Sequence, residues 1–399
     1  MKVAYVVPIS WGGIPHYTAE LANKMSELTD TYVIKPQDKN TQLFSENVKV
    51  IEAFKPIFFS KNMAISAFNL TNIKNFSSFF SIHKVIKDID PDIIHYPEVY
   101  AHIALAHYVR KAEIANYPVV CTYHNTFSIL DLLFNNVMGS LTYGIVAITN
   151  EILKRLIRPE GIIVHTKLNK DILTKKGYDP RKIFIIPHGS FTLFRTLFKS
   201  SNYKKFLYKN NKNIKKILFF GYILKNKGVE YLIKASKFLL NNYNNIEIII
   251  AGEGRLPNIR KIIDSKSNKI FKIYNYYIPN EMVFNLFTQA DVVVLPYIYH
   301  QGHSGVLNIA FAFGKPVIIT NVGSLPEMVE YGKAGIIIPP RNPKALAEAI
   351  IKILEDHKLR KKMERASYKK SEALSWDRIA KKHLRVYEKV VKKWRGIRN

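Results

Sequence analysis

The chain has 399 residues, 47% of them apolar and 12% aromatic, with a formal net charge of +29 and one cysteine. This composition excludes a largely disordered protein and a disulfide-built one, and the length suits two domains, each able to bury its own core. The charge attracts any polyanion: nucleic acid, anionic lipid headgroups or a diphosphate-bearing substrate. A solvated lysine face, from AT-rich coding or heat adaptation, gives the same composition.

A strand is predicted over Val3 to Val7 with no basic, apolar leader before it, so a cytoplasmic location is expected. Gly12 and Gly13 follow, then a helix with Tyr17, Leu21, Met25 and Leu28 on one face. Two glycines after a first strand let a ligand approach the backbone, and the helix N-terminus favours an anion; a plain tight turn reads the same way. Further strands are predicted over Ile93 to His95, Val119 to Tyr123, Ile162 to His165 and Ile183 to Ile186, with room between them for crossover helices. Asp88, Asp90 and Asp92 sit in a helix-to-strand turn. Cys121 reads as a small buried strand residue. His124 ends its strand at the carboxyl side, where open α/β sheets bind ligands. The apolar window Ile129 to Thr149 contains Asp131, Asn135 and Asn136 and is broken by Gly139 and Gly144, which argues against a membrane span.

Lys199 to Lys216 has neither a helical nor a strand period and suits a linker. A second strand set follows: Ile217 to Phe220, Ile246 to Ala251, Val292 to Leu295, Val317 to Thr320 and Gly335 to Ile338. The pattern predicts two Rossmann-like, doubly wound parallel sheets facing a cleft, an α/β architecture. The domains are expected over 1–198 and 217–374, joined by a linker over 199–216. A C-terminal helix over 375–399 carries Ile379, Tyr387, Val390 and Trp394 at helical spacing, with Lys381, Lys382, Arg385, Lys392 and Lys393 elsewhere. His188, in Ile-Pro-His-Gly, is expected in a turn before the hinge. No Cys/His cluster has zinc spacing, and no metal is expected.

Three motifs of the second half form a set. Gly221-Tyr-Ile-Leu-Lys225-Asn-Lys227-Gly228 opens an amphipathic helix; Ala251-Gly252-Glu253-Gly254 follows a strand; Gln301-Gly-His-Ser304-Gly305-Val306-Leu-Asn308-Ile309-Ala310 joins two buried strands, with Glu327 downstream. This set resembles the donor-binding half of retaining glycosyltransferases of the GT-B fold, family 4. Gln301 and Ile309 stand where that family has its two acidic residues, and the Ser-Gly-Val is similar to a branch lacking the acidic pair. The resemblance implies sugar transfer from a nucleoside-diphosphate sugar to a hydroxyl acceptor with retention, needing no cofactor. It also implies a C-terminal helix crossing back onto the first domain. It places His124 beside the transferred sugar and Lys227 on the diphosphate. Gly12, Gly13, Gly221, Lys225, Gly252, Gln301, Ser304, Gly305, Val306, Asn308 and Glu327 then surround the donor, and Ile273 to Glu281 holds the base. A related sugar-nucleotide enzyme such as an epimerase, or a catalytically silent nucleotide-sugar-binding protein, is the alternative. The segment Phe54 to Phe80 mixes aromatics with lysines. It suits a glycan or lipid-linked acceptor at an anionic membrane surface and equally a packed helix hairpin. No nucleic-acid module is recognisable, so no nucleic-acid partner is expected.

Overall fold

The computed structural model describes residues 1–7, 9, 12–37, 43–56, 75–126, 152–196, 213–241, 243, 245–257, 267–300 and 302–398. The chain divides into one unit of Met1–Gly189 with Trp376–Asn399, and a second of Ser190–Ser375. The first division falls ahead of residue 198, because Ser190 N–H donates to Leu374 O at 2.9 Å and Phe191 and Phe194 join the second unit's apolar core. Most of the 199–216 linker, and the window 129–149, lie outside the described residues.

Unit 1 holds a seven-stranded sheet, every neighbouring pair parallel, in the order β3-β2-β1-β4-β5-β6-β7. The strands are β1 Lys2–Val6, β2 Asp30–Pro36, β3 Lys49–Phe54, β4 Ile93–Tyr96, β5 Val119–Thr122, β6 Gly161–Val164 and β7 Ile183–Ile185. Alternation along β1 sends Val3 and Tyr5 to one face, with Tyr17, Leu21 and Ile379. Val6 faces Ile34, Ile86 and Ile94 on the other. Helix Gly13–Met25 buries Tyr17, Leu21 and Met25, but it stops at Met25 and leaves Leu28 41% exposed, so Leu28 is not on its core face. The C-terminal helix, Trp376–Arg398, packs into this unit: Ile379, His383 and Tyr387 are fully buried, while Lys381, Lys382, Arg385, Lys392 and Lys393 are exposed.

Unit 2 has six parallel strands in the order β10-β9-β8-β11-β12-β13: β8 Lys215–Phe220, β9 Ile246–Ala251, β10 Phe271–Tyr274, β11 Val292–Leu295, β12 Val317–Thr320 and β13 Ile336–Ile338. Leu218, Val293 and Ile319 pack on Leu307 and Phe311; Ile217, Phe219 and Ile318 pack on Leu232 and Ile350 across the sheet. Three strands escaped the sequence pattern. Two of them, β3 and β10, are edge strands burying little of themselves, and β2 carries Asp30, Lys35 and Pro36. Strand order reverses at β1/β4 and at β8/β11, and a doubly wound sheet opens its ligand crevice beyond the carboxyl ends of such strands.

The remaining expectations resolve locally. Asp90 is the left-handed C-cap of helix Ser81–Ile89 (φ 50°), and Asp92 Oδ2 accepts from Lys2 N–H at 2.8 Å, so these carboxylates shape a turn. Cys121 is buried and unbridged. Within Phe54 to Phe80, residues 57–74 lie outside the described residues. At its described ends Phe54 and Phe79 are core residues with rings 5.0 Å apart. Among the described residues no helix is long and apolar enough to cross a membrane, and no group of three or more His, Cys, Asp or Glu could hold a metal ion.

Candidate functional site

At the reversal point of unit 2, β8 ends in Gly221 (φ 110°), whose N–H donates to Ala251 O at 2.9 Å. Gly252 (φ 148°) crosses directly over it: a Cβ there would lie 2.0 Å from Gly221 O, so only glycine lets the two strand exits touch. Lys225–Lys227 then make one 3-10 turn, Gly228 takes the left-handed conformation (φ 66°), and helix Val229–Leu240 begins. The exit of β11 is laced to this turn. Ile298 N–H donates to Asn226 O at 2.9 Å, and a Cβ on Gly228 would sit 2.0 Å from Pro296 O. Lys227 Nζ stands 3.8 Å above the ring of buried Tyr297, which holds the ammonium at the strand ends; Lys225 is exposed.

Ser304 occupies the N-cap position of helix Gly305–Ala312, yet its hydroxyl does not cap that helix and has no partner among the described residues although the residue is 3% exposed. Val306 and Gly221 adjoin: a Cβ on Gly221 would lie 3.3 Å from Val306 Cγ2. Asn308 is fully buried, and Ser190 Oγ donates to its carbonyl at 3.4 Å. Ile309 lies in the apolar core, 6% exposed. Ser324 Oγ donates to Gly302 O, tying this loop to the Leu325–Met328 turn whose first-turn acid is half-buried Glu327. Gln301 lies outside the described residues. Sequence reasoning missed Tyr297 and His300, whose rings stand 5.3 Å apart; burial, then the nearby Lys227 charge, pushes His300 well below the ordinary histidine range. A His preceding a Gly-rich helix start beside a lysine was the available signal.

The structure thus brings Gly221, Lys227, Gly252, Val306 and the Ser304–Gly305 helix start together. A cavity of about 140 Å³ in this unit runs along β9 and β10 instead, lined by residues such as Glu247, Lys272, Tyr274 and Gln289. It borders the predicted base-holding stretch only through Tyr274 and Tyr276, and its position away from the β8/β11 exits sets it outside the candidate site.

In unit 1, Gly12 (φ 81°) and Gly13 begin the first helix, and a Cβ on either would meet nothing within 4 Å among the described residues. His124 is 8% exposed, in contact with Tyr17 edge-on at 4.7 Å between ring centroids. Both its ring nitrogens are engaged, Nε2 with Pro97 O and Nδ1 with His165 Nε2, each at 3.0 Å. His165 and His188 complete a cluster with centroid separations of 4.6 to 5.7 Å. His188 is therefore buried beside His124, 4% exposed, with Nδ1–H donating to Gly189 O at 2.7 Å, while it also closes the loop before the unit boundary. The signal for this cluster was the recurrence of histidine at or just beyond the carboxyl ends of β4 to β7: His95, His124, His165 and His188.

A doubly wound parallel sheet in each unit is what a GT-B fold is built from. Residues 11–190 match the family model "Glycosyltransferase Family 4", and residues 202–370 match "Glycosyl transferases group 1". Each half of the chain thus matches one glycosyltransferase family model, family 4 in the first and group 1 in the second, on a GT-B fold. It is 32% identical over 177 residues to an uncharacterized glycosyltransferase of Methanocaldococcus jannaschii, a match covering 44% of this chain and 45% of that protein. The first relatives found are likewise matched over less than half their own length. A match over 95% of this chain and 96% of the relative, at 24% identity, is to the N,N'-diacetylbacillosaminyl-diphospho-undecaprenol alpha-1,3-N-acetylgalactosaminyltransferase of Campylobacter jejuni. Among solved structures, an Anabaena protein in complex with UDP has the same fold, with a TM-score of 0.65 at 16% identity over 98% of this chain and 100% of that one.

Proposed function

We propose that the protein transfers a sugar from a nucleoside-diphosphate sugar to a hydroxyl acceptor, with retention at the anomeric carbon. The observation that carries this reading is the convergence at the β8/β11 reversal of Lys227, the Gly221/Gly252 crossing and the start of helix Gly305–Ala312. A fixed ammonium and helix N–H groups are what a leaving diphosphate requires. In this reading the bond from the anomeric carbon to the donor phosphate breaks as the acceptor oxygen bonds on the same face, and the departing phosphate takes the acceptor proton. Lys227 neutralises the leaving charge. Ser304, Gly305, Val306 and Glu327 orient the donor in unit 2; in unit 1, Gly12 and Gly13 keep a helix start open to a phosphate-bearing ligand, and His124 fixes charge and shape at the ends of β4 to β6, its ring nitrogens being already bonded.

The Campylobacter relative is named for a diphospho-undecaprenol acceptor, which supports a lipid-linked acceptor here and a peripheral position at an anionic membrane face. A second reading, a nucleotide-sugar-binding protein without turnover, draws on Ile309: an apolar core residue stands where the resembling family has an acid. The test is incubation of the protein with UDP-, GDP- and ADP-sugars, with and without lipid-diphosphate acceptors, following nucleoside diphosphate release and glycosylated product. Product with retained configuration is the expected result. Sugar isomerisation without acceptor would replace transfer by epimerisation, and tight donor binding without any turnover would favour the silent reading.

A further inference from the structure

Four ring nitrogens and two main-chain carbonyls form one line through unit 1. Pro97 O lies 3.0 Å from His124 Nε2, His124 Nδ1 lies 3.0 Å from His165 Nε2, and His165 Nδ1 lies 2.9 Å from Ile186 O. A carbonyl oxygen only accepts, so each end of the line needs its proton on the ring nitrogen, and the central gap needs a third. Two neutral imidazoles carry two. Any neutral arrangement therefore sets two acceptors against each other at about 3 Å in a buried site, where an unmade hydrogen bond is most costly.

We propose that His124 and His165 form a single proton-binding site, a monocationic dyad whose third proton bridges His124 Nδ1 and His165 Nε2. The dyad joins the exits of β4, β5, β6 and β7, so the bound proton fastens four successive strand ends. The groups facing it are Tyr17 from the first helix, His188 beyond β7, His383 from the C-terminal helix, and Lys154, whose Nζ is paired with Glu98 Oε1 at 3.2 Å. Burial opposes the charge, pushing His165 down to about 4 and, with help from His165 and His188, His124 well below its ordinary range. The geometry decides in favour of the proton because all three gaps are closed at bonding distance at once, which only three protons allow. On the transferase reading the same charge makes these strand ends cationic toward a phosphate-bearing substrate, but the titration below does not depend on that reading.

The sign of the pH dependence separates the two states. A dyad whose folded pKa lies above the unfolded histidine value of about 6.5 adds stability below that pH and loses it as pH rises through the folded pKa; a neutral buried pair loses stability as pH falls below about 6.5. His165→Gln offers a side-chain N–H to His124 Nδ1 with no titrating group, so subtracting its stability from the wild type's across pH 5 to 9 removes the contribution of buried histidines remote from the dyad, such as His107 and His300. We expect the wild-type advantage to shrink as pH rises, and ring-nitrogen NMR of the wild type to show three protonated nitrogens and no bare pair on His124 and His165 at neutral pH. A wild-type advantage that grows or stays constant with pH, or two unprotonated ring nitrogens at neutral pH, overturns the proposal. The NMR measurement stands alone should His165→Gln fail to fold.

Discussion

Gly228→Ala tests how the Lys227 turn is fixed to the β11 exit. Gly228 is left-handed (φ 66°), which costs an alanine about 1–2 kcal/mol. Its new Cβ would also lie 2.0 Å from Pro296 O, main chain that cannot swing aside, so the turn or the strand exit must move by about 1 Å or more. Such overpacking adds about 1–3 kcal/mol. Urea denaturation followed by a probe of unit 2 should therefore show Gly228→Ala less stable than the wild type by about 2–5 kcal/mol, the sum of the two costs. Nucleoside diphosphate affinity should fall with Gly228→Ala. A stability loss under about 1 kcal/mol, or unchanged affinity for Gly228→Ala, would refute the reasoning that this contact positions the candidate site.

Lys227→Ala should lower kcat/KM by about 30- to 1000-fold, corresponding to about 2–4 kcal/mol for a preorganised charge contact, while the fold survives by circular dichroism; a loss under threefold would remove Lys227 from the chemistry. Ile309→Glu places a carboxylate among apolar core residues and should destabilise unit 2 by several kcal/mol, on the order of 3, without improving turnover; a stable, more active variant would show that the acidic position is reachable by substrate. His107 and His383 are pushed down by burial, to about 4 and about 3, so they stay neutral in the fold while the unfolded chain takes up protons below about pH 6.5. The contribution of these two histidines should be constant above pH 6.5 and turn destabilising as pH falls toward 4, and substituting His107 by Gln should flatten the acid-side decline in a titration. Trp376→Ala empties the space over Gly189, where an added Cβ would lie 2.3 Å from the indole, and should cost unit 1 about 3–5 kcal/mol in denaturation.

The central strands of both sheets were legible because parallel strands buried on two faces read as continuous Val/Ile runs, as in Val292 to Leu295. Edge strands β3 and β10 were not, since half-exposed positions dilute that signal, and Lys35 conceals β2 because its burial depends on a partner, Glu52, 2.9 Å away on the neighbouring strand. Glycines at strand exits were readable as turns, but not which backbone each one meets; the contacts of Gly228 with Pro296 and of Gly252 with Gly221 arise only when separate strands are brought side by side. His124 was singled out from its own strand, whereas the bonding that governs it comes from His165 and Pro97, 41 and 27 positions away. Tyr297 beneath Lys227 is likewise a product of β8 lying next to β11.

The most direct test of the donor site is the thermal stability of purified wild type and Lys227→Ala in UDP, GDP, ADP and their sugars, because a ligand of the native state raises its melting temperature by mass action. The account predicts that one nucleoside-diphosphate series raises the wild-type Tm by several degrees in a saturable way and that the gain is largely lost in Lys227→Ala. No stabilisation of the wild type by any of these ligands at millimolar concentration, or equal stabilisation of both proteins, would contradict it.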